Sequence, residues 1–251
     1  MKIFIINLEH QTEKRQFMQE QLDRLGLEAE FIAAVNGKSM SADQLREAVY
    51  NYDDCCLTAG EVGCSLSHIS IYKKMVSENI KHALILEDDA LLSDDLPNVL
   101  TSLELKGINH KPHVYLLTSP QCYNELNPTQ IYGNYQSFEL LDAWNAHGYV
   151  MNIKAASKMA KALSPIFLVA DHWKHFKHAG YTNISCIIPA LVSDHDPDKI
   201  KSDLEADRSL VEQKRDDHYQ AIAKNSIPFY QYLNYHLKRI IKKPITKKKW
   251  L

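Results

Sequence analysis

Apolar residues follow two alternating rhythms along the chain. Ile3, Phe4, Ile5 and Ile6 make Lys2–Leu8 an almost unbroken apolar run, the pattern of a strand buried on both faces. Glu13–Leu25 then carries Phe17, Met18, Gln21, Leu22 and Leu25 near helical spacing, with Gly26 placed to end the helix. Ala29–Val35 reads as a second strand, closed by Asn36-Gly37. Such a βαβ opening predicts parallel strands in a sheet covered by helices on both sides.

Farther on, Ser41–Tyr50 predicts a short helix capped by Ser41. Thr58-Ala59-Gly60-Glu61 matches a capping box that opens a longer one, whose Glu61, Ser65, His68, Tyr72 and Met75 fall near one face. His82–Leu86 is a third strand and runs directly into Glu87-Asp88-Asp89. Val114–Leu117, Ser137–Leu141 and Gly148–Ile153 are further strands, and the last leads into a helix over Lys154–Leu163 that Ser164-Pro165 breaks. Asn183–Ala190 is a late strand, Leu204–Lys224 a mostly polar helix, and Pro228 a joint. No internal repeat is visible. The expected organisation is one α/β domain over 1–226, a single Rossmann-like mixed sheet flanked by helices, followed by a basic amphipathic helical tail over 227–251.

Composition narrows the classes. The 251 residues are 45% hydrophobic with eight glycines and nine prolines, against disorder or a fibrous repeat. Lys and Arg number 29 against 31 Asp and Glu, which argues against a wholesale nucleic-acid binder. No apolar run approaches the ~18–20 residues of a membrane span, and the N-terminus turns polar too soon for a signal peptide. Cysteines at 55, 56, 64, 122 and 186 have no framework spacing, so reduced thiols in a cytoplasmic protein are expected. Charge is uneven, however. Seven basic and no acidic residues lie between Phe229 and Leu251, leaving 22 basic against 31 acidic ones for the rest. The tail interleaves Tyr230, Leu233, Leu237, Ile240 and Ile241 with its lysines, as a segment lying on an anionic membrane surface would; packing against the acidic body is the alternative.

The acidic triplet carries the chemistry. Ligands bind outside the carboxyl ends of strands in an open parallel sheet. Three carboxylates gathered there repel one another, and a divalent cation such as Mn2+ or Mg2+ relieves that while leaving positions for diphosphate oxygens. A solvated acidic turn is the plain alternative.

Asn7-Leu8 with Arg15 downstream, the block Gly60-Glu61-Val62-Gly63-Cys64-Ser65-Leu66-Ser67-His68, and Leu86-Glu87-Asp88-Asp89-Ala90 together resemble glycosyltransferase family 25, whose bacterial members build lipooligosaccharide and lipopolysaccharide cores and whose animal relatives galactosylate collagen. The likeness runs from residue 2 to about 208. It implies a GT-A-like fold and inverting transfer of a hexose, galactose ahead of glucose, from a UDP-sugar. On this resemblance Glu87-Asp88-Asp89 stands where the family's Asp-x-Asp motif does, with Glu87 and Asp89 on the metal and Asp88 facing the ribose or donor sugar. A further metal ligand is expected from the loop after the late strand, His195 or Asp194. Ser202 and Arg208 are placed to close over the diphosphate. The implied acceptor is a lipid-linked oligosaccharide at the cytoplasmic face of the membrane, with no nucleic acid involved.

Inversion needs a carboxylate to take the acceptor proton from the side opposite the diphosphate. Asp171, after the apolar run Leu168-Val169-Ala170, is the choice; Asp142 and Glu139 are alternatives, and capping of the next helix is the structural role Asp171 would otherwise have. Asn7, Arg15, Ala34, Asn36 and Gly37 are candidates for the nucleotide. Arg15 is read as pairing with phosphate, stacking on uracil, or simply lying on a helix surface. Gly60 and Gly63 are expected to permit close backbone approach, His68 to touch the diphosphate or order the acidic loop, and Glu61 to complete its capping box. Cys64 is expected in packing. Rival readings are a nucleotidyltransferase, which lacks here a Gly/Lys/Arg-rich loop over Asn7–Gln16, and a membrane-recruited adaptor domain.

Overall fold

The computed structural model describes residues 1–106 and 111–194, together with the backbone of 248–250. Its strands are β1 Lys2–Asn7, β2 Glu30–Ala33, β3 His82–Glu87, β4 Ala90–Leu92, β5 His113–Leu116, β6 Cys122–Tyr132, β7 Tyr135–Asp142, β8 Gly148–Asn152, β9 Asn183–Ile188, β10 Val192–Asp194 and β11 Lys248–Trp250. The helices are α1 Thr12–Leu25, α2 Ala42–Ala48, α3 Ala59–Ser77, α4 Leu96–Leu105, α5 Ile153–Ala162 and α6 Trp173–His178.

Nine strands form one mixed sheet in the order β11-β6-β7-β9-β5-β8-β3-β1-β2, and β10 pairs with β4 in a small second sheet. β1 is parallel to β2 and β3, and β5 to β9, whereas β8 runs antiparallel between β3 and β5. The carboxyl ends of β1, β2, β3 and β5 therefore share one edge with the beginning of β8. Alternation along β1 divides the core. Phe4 and Ile6 face a layer built from α2, α3, α5 and α6, while Ile3 and Ile5 face α1 and α4. The α/β architecture with helices on both faces is as expected.

Local signals act where the sequence places them. Gly26 ends α1 at φ 63°, a left-handed conformation that costs glycine nothing. The expected capping box of Thr58 with Glu61 forms on α3, and Ser41, expected as the cap of α2, forms a capping box with Gln44. Buried Gln21 of α1 donates to the carbonyl of Ala90 and accepts from the amide of Leu92, each at 2.8 Å, so α1 clamps the short β4 that follows the acidic triplet.

Four elements escape the sequence pattern: β4, β6, β10 and α4. The tail departs from expectation where it is described, because Lys248–Trp250 is a strand on β6 rather than helix. His195, Ser202, Arg208, the expected helix over 204–224 and the rest of the tail lie outside the described residues. The five cysteines form no disulfide among the described residues.

The loop after β2 meets α3 backbone to backbone. A Cβ on Gly63 would stand 2.5 Å from both the amide nitrogen of Gly37 and the carbonyl oxygen of Val35. Gly63→Ala gains up to about 1 kcal/mol of helix propensity but overpacks by more than that. We expect a net loss of about 2 kcal/mol in urea denaturation.

Candidate active site

The shared sheet edge brings together residues far apart in the chain. β1 ends on Asn7, whose side-chain amide donates to Asp88 Oδ2 at 2.8 Å and to the carbonyl of Gln11 at 3.2 Å. Lys14, on the first turns of α1, reaches Asp88 Oδ1 at 3.3 Å and Asp89 Oδ2 at 3.8 Å. From α3, His68 Nε2 lies 3.1 Å from Glu87 Oε1, and His147, just before β8, holds Nδ1 3.0 Å from Asp89 Oδ1 and 3.5 Å from Glu87 Oε2. Donor atoms of Glu87, Asp89 and His147 all fall within 4.8 Å of one another, and so do those of Cys64, His68 and Glu87.

Each acid is in a different electrical setting. Asp88 is buried, and burial raises its pKa despite the bond from Asn7 and the charge of Lys14. Burial pushes Asp89 the same way, but the hydrogen bond and charge of His147, with Lys14, win and lower it. For His147 burial disfavours the charge, yet the bond to Asp89 and the fields of Glu87, Asp89 and Asp194 carry its pKa up to about 9. Lys14 is likewise desolvated, yet Asp88 and Asp89 raise it. The protonated imidazole and the ammonium thus occupy the places where the carboxylates call for positive charge.

His68 is aimed from behind. A neutral imidazole that donates Nε2–H to Glu87 must accept at Nδ1, and Tyr149 Oη stands there at 2.8 Å, itself 2.8 Å from Tyr72 Oη. Both hydroxyls are fully buried, and burial raises their pKa values, so they remain proton donors.

The Gly60–His68 block performs several separate tasks. Glu61 completes the cap, Gly63 receives the Gly37 turn, and Ser67 Oγ accepts from the amide of Val35 at 2.8 Å. His68 then reaches the acid cluster. The amide of Ala34 also donates to the carbonyl of Asn7 at 2.9 Å, so the turn after β2 is tied to the same edge.

A family model described as glycosyltransferase family 25 (LPS biosynthesis protein) matches residues 1–173. The chain belongs to glycosyltransferase family 25. A family-25 member from Drosophila melanogaster is 42% identical over 96 residues, covering 35% of this chain and 16% of the relative; one from Aedes aegypti is 42% identical over 95, covering 35% and 16%. Human procollagen galactosyltransferase 2 is 32% identical over 110 residues, 41% of this chain and 18% of that protein. The chain thus matches less than a fifth of the length of these animal relatives, and among these matches lipopolysaccharide enters only through the family description.

Of the residues expected at a family-25 site, Asn7, His68, Glu87, Asp88 and Asp89 come together directly, with Ala34 and Gly37 in the adjoining turn. Asn36 caps the single 3₁₀ turn at Gly37–Ser39 and is exposed. Gly60 lies in the first turn of α3. Arg15 stands apart from the cluster, its guanidinium 4.1 Å from the ring centre of Phe31. Asp171 does not cap α6 through its side chain; Oδ2 accepts instead from the amide of Asn145 at 3.1 Å, in the loop that leads to His147. The alternatives Asp142 and Glu139 are paired with Lys174 and Lys177. Of the two residues expected from the late strand, Asp194 is described, opposite Ala90 in the β10–β4 pair.

Sequence reasoning missed Lys14 and His147. Lys14 carried a weak signal, seven residues past Asn7 in the helix that returns over the same edge. His147 carried one too, standing immediately before an expected strand, but only that strand's antiparallel direction brings it to Glu87.

Because the folded pKa of His147 lies above the ordinary histidine value near 6.5, its pairing stabilises the chain fully below that pH and ceases to do so as pH rises through about 9. Thermal melts in EDTA from pH 6 to 10 should show a decline over this interval that His147→Gln flattens.

Proposed function

We propose that the chain transfers a hexose, galactose first, from a UDP-sugar to a hydroxyl of a glycan acceptor with inversion at the anomeric carbon. The observation that carries this reading is the gathering of Glu87, Asp89 and His147 at the carboxyl end of β3 in a family-25 chain. Two carboxylates and an imidazole suit Mn2+, with Mg2+ close behind, and Asp194 stands near enough for its charge to act on His147. A cation bound there would neutralise the charge that develops on the departing diphosphate. His147 would have to give up its proton to act as a ligand, which would make metal loading pH-dependent. Lys14 remains as a second positive group beside Asp88 and Asp89.

Asp171 is the proposed base. Asn145, which it holds, is two residues from His147, at most about 7 Å of chain. In this reading the Asp171 carboxylate would stand on the far side of the donor sugar from the diphosphate. The acceptor oxygen bonds to the anomeric carbon as the carbon–oxygen bond to UDP breaks; the electron pair leaves with UDP and the hydroxyl proton passes to Asp171. Galactose as donor is supported by the animal relatives named procollagen galactosyltransferases.

The acceptor we propose is a lipid-linked oligosaccharide at the cytoplasmic face of a membrane. Seven basic residues without an acidic one between Phe229 and Leu251 support surface attachment, and no helix among the described residues is long and apolar enough to cross a bilayer. Full-length protein should co-sediment with phosphatidylglycerol vesicles and lose most of that binding when Lys247, Lys248 and Lys249 are all changed to Glu.

The decisive experiment measures UDP release from UDP-galactose, UDP-glucose and UDP-N-acetyl sugars with and without Mn2+. Asp89→Asn should lower turnover at least 100-fold and abolish the Mn2+-dependent rise in melting temperature with UDP. Asp171→Asn should keep that rise and lose transfer by a similar factor. Unchanged turnover in the first variant refutes the metal assignment; in the second it moves the base elsewhere.

A further inference from the structure

The loop 143–147 between β7 and β8 is held at consecutive residues yet presents a large aromatic ring outward. The amide of Trp144 donates to Gln121 Oε1 at 2.8 Å, that of Asn145 to Asp171 Oδ2 at 3.1 Å, and Trp173 Nε1 donates to the carbonyl of Asn145 at 3.0 Å. Asn145 stands at φ 77°, in the left-handed region that asparagine enters more readily than other non-glycine residues. So fastened, Trp144 remains 42% exposed, with the ring of His172 at 4.9 Å supporting it. Among the described residues the other exposed aromatics, Tyr50 and Tyr132, lie beyond the end of α2 and at the β6–β7 hairpin.

We propose that Trp144 is the stacking platform of the acceptor glycan: a pyranose ring lies on its exposed indole face and directs a hydroxyl toward Asp171. This inference deepens the transferase reading and rests on it for the identity of the incoming sugar as acceptor. A pyranose has one face of polarised C–H bonds rimmed by hydroxyls, and an indole offers it an electron-rich plane with the required area. Hydroxyls need acceptors at the rim, and among the described residues Asp171 Oδ1 makes no hydrogen bond while Oδ2 is spent on the loop. Position agrees as well. Trp144 is three residues from His147, a reach of at most about 11 Å, so one short segment ends in a cluster residue and begins in the platform. The two ends of the segment thus match the two substrates of a sugar transfer. Rigidity is useful here, because a ring already fixed loses little freedom when sugar binds.

The test is ligand-observed saturation-transfer NMR on full-length protein with UDP and Mg2+, using methyl β-D-galactopyranoside and methyl β-D-glucopyranoside as probes. Saturation should concentrate on the C–H protons of one sugar face, fall at least threefold in Trp144→Ala, and return in Trp144→Phe. Equal saturation in wild type and Trp144→Ala, or none in wild type, overturns the proposal. Melting curves of each variant with UDP and Mg2+ separate this result from donor binding. If UDP shifts neither protein while the contrast in sugar saturation persists, the platform stands and the UDP-sugar reading falls. If UDP shifts both and the contrast is absent, the platform falls alone.

Discussion

Mutual repulsion of the carboxylates after β3 is the constraint around which this edge of the molecule is arranged. With donor oxygens of Glu87 and Asp89 inside 4.8 Å, that like-charge pair alone costs on the order of 3 kcal/mol at the effective dielectric of a protein surface. Every neighbouring element contributes a compensating group: Asn7 from β1, Lys14 from α1, His68 from α3 and His147 from the start of β8. These compensations differ in kind. Asn7 supplies an oriented hydrogen-bond donor to Asp88 and His68 lies within hydrogen-bond distance of Glu87, while Lys14 and His147 bring positive charge.

Much of this was legible beforehand. Continuous apolar runs marked β1 and β3, the Ser41 cap and the Thr58–Glu61 capping box marked the starts of α2 and α3, and Gly26 marked the end of α1, because each is a local signal between residues a few positions apart. The same holds for the triplet and the Gly60–His68 block, whose residues were singled out before their contacts were known. What stayed hidden depends on direction and pairing. Periodicity does not say which way a strand runs, so Gly148–Ile153 was recognisable as a strand without placing His147 beside Asp89. β4 and β10 have three residues each and owe their existence to each other and to Gln21. β6 is polar and exposed through its middle and contains Pro128, so it looks like loop. α4 is different: Leu96, Val99, Leu100 and Leu103 make a regular apolar stripe that was open to reading.

Asp171 shows how position in the sequence alone gives an incomplete picture of a side chain's contacts. Its position before α6 suggested a cap, but its side chain crosses to Asn145 and shapes the segment on which Trp144 and His147 are carried. The proposed base is therefore also a positioning residue for the segment it touches. Separating these roles calls for the amide variant, which keeps an acceptor oxygen for the Asn145 amide while removing the basicity.

The glycine pair Gly37 and Gly63 has a consequence for how α3 is indexed. Sliding the helix by one residue rotates its side chains by about 100° and would bring a Cβ where Gly37 now touches bare backbone. The contact therefore rejects neighbouring settings of the helix and fixes the angle at which His68, five residues later, faces β3. Two missing side chains serve as the keyway that aligns an imidazole with its carboxylate.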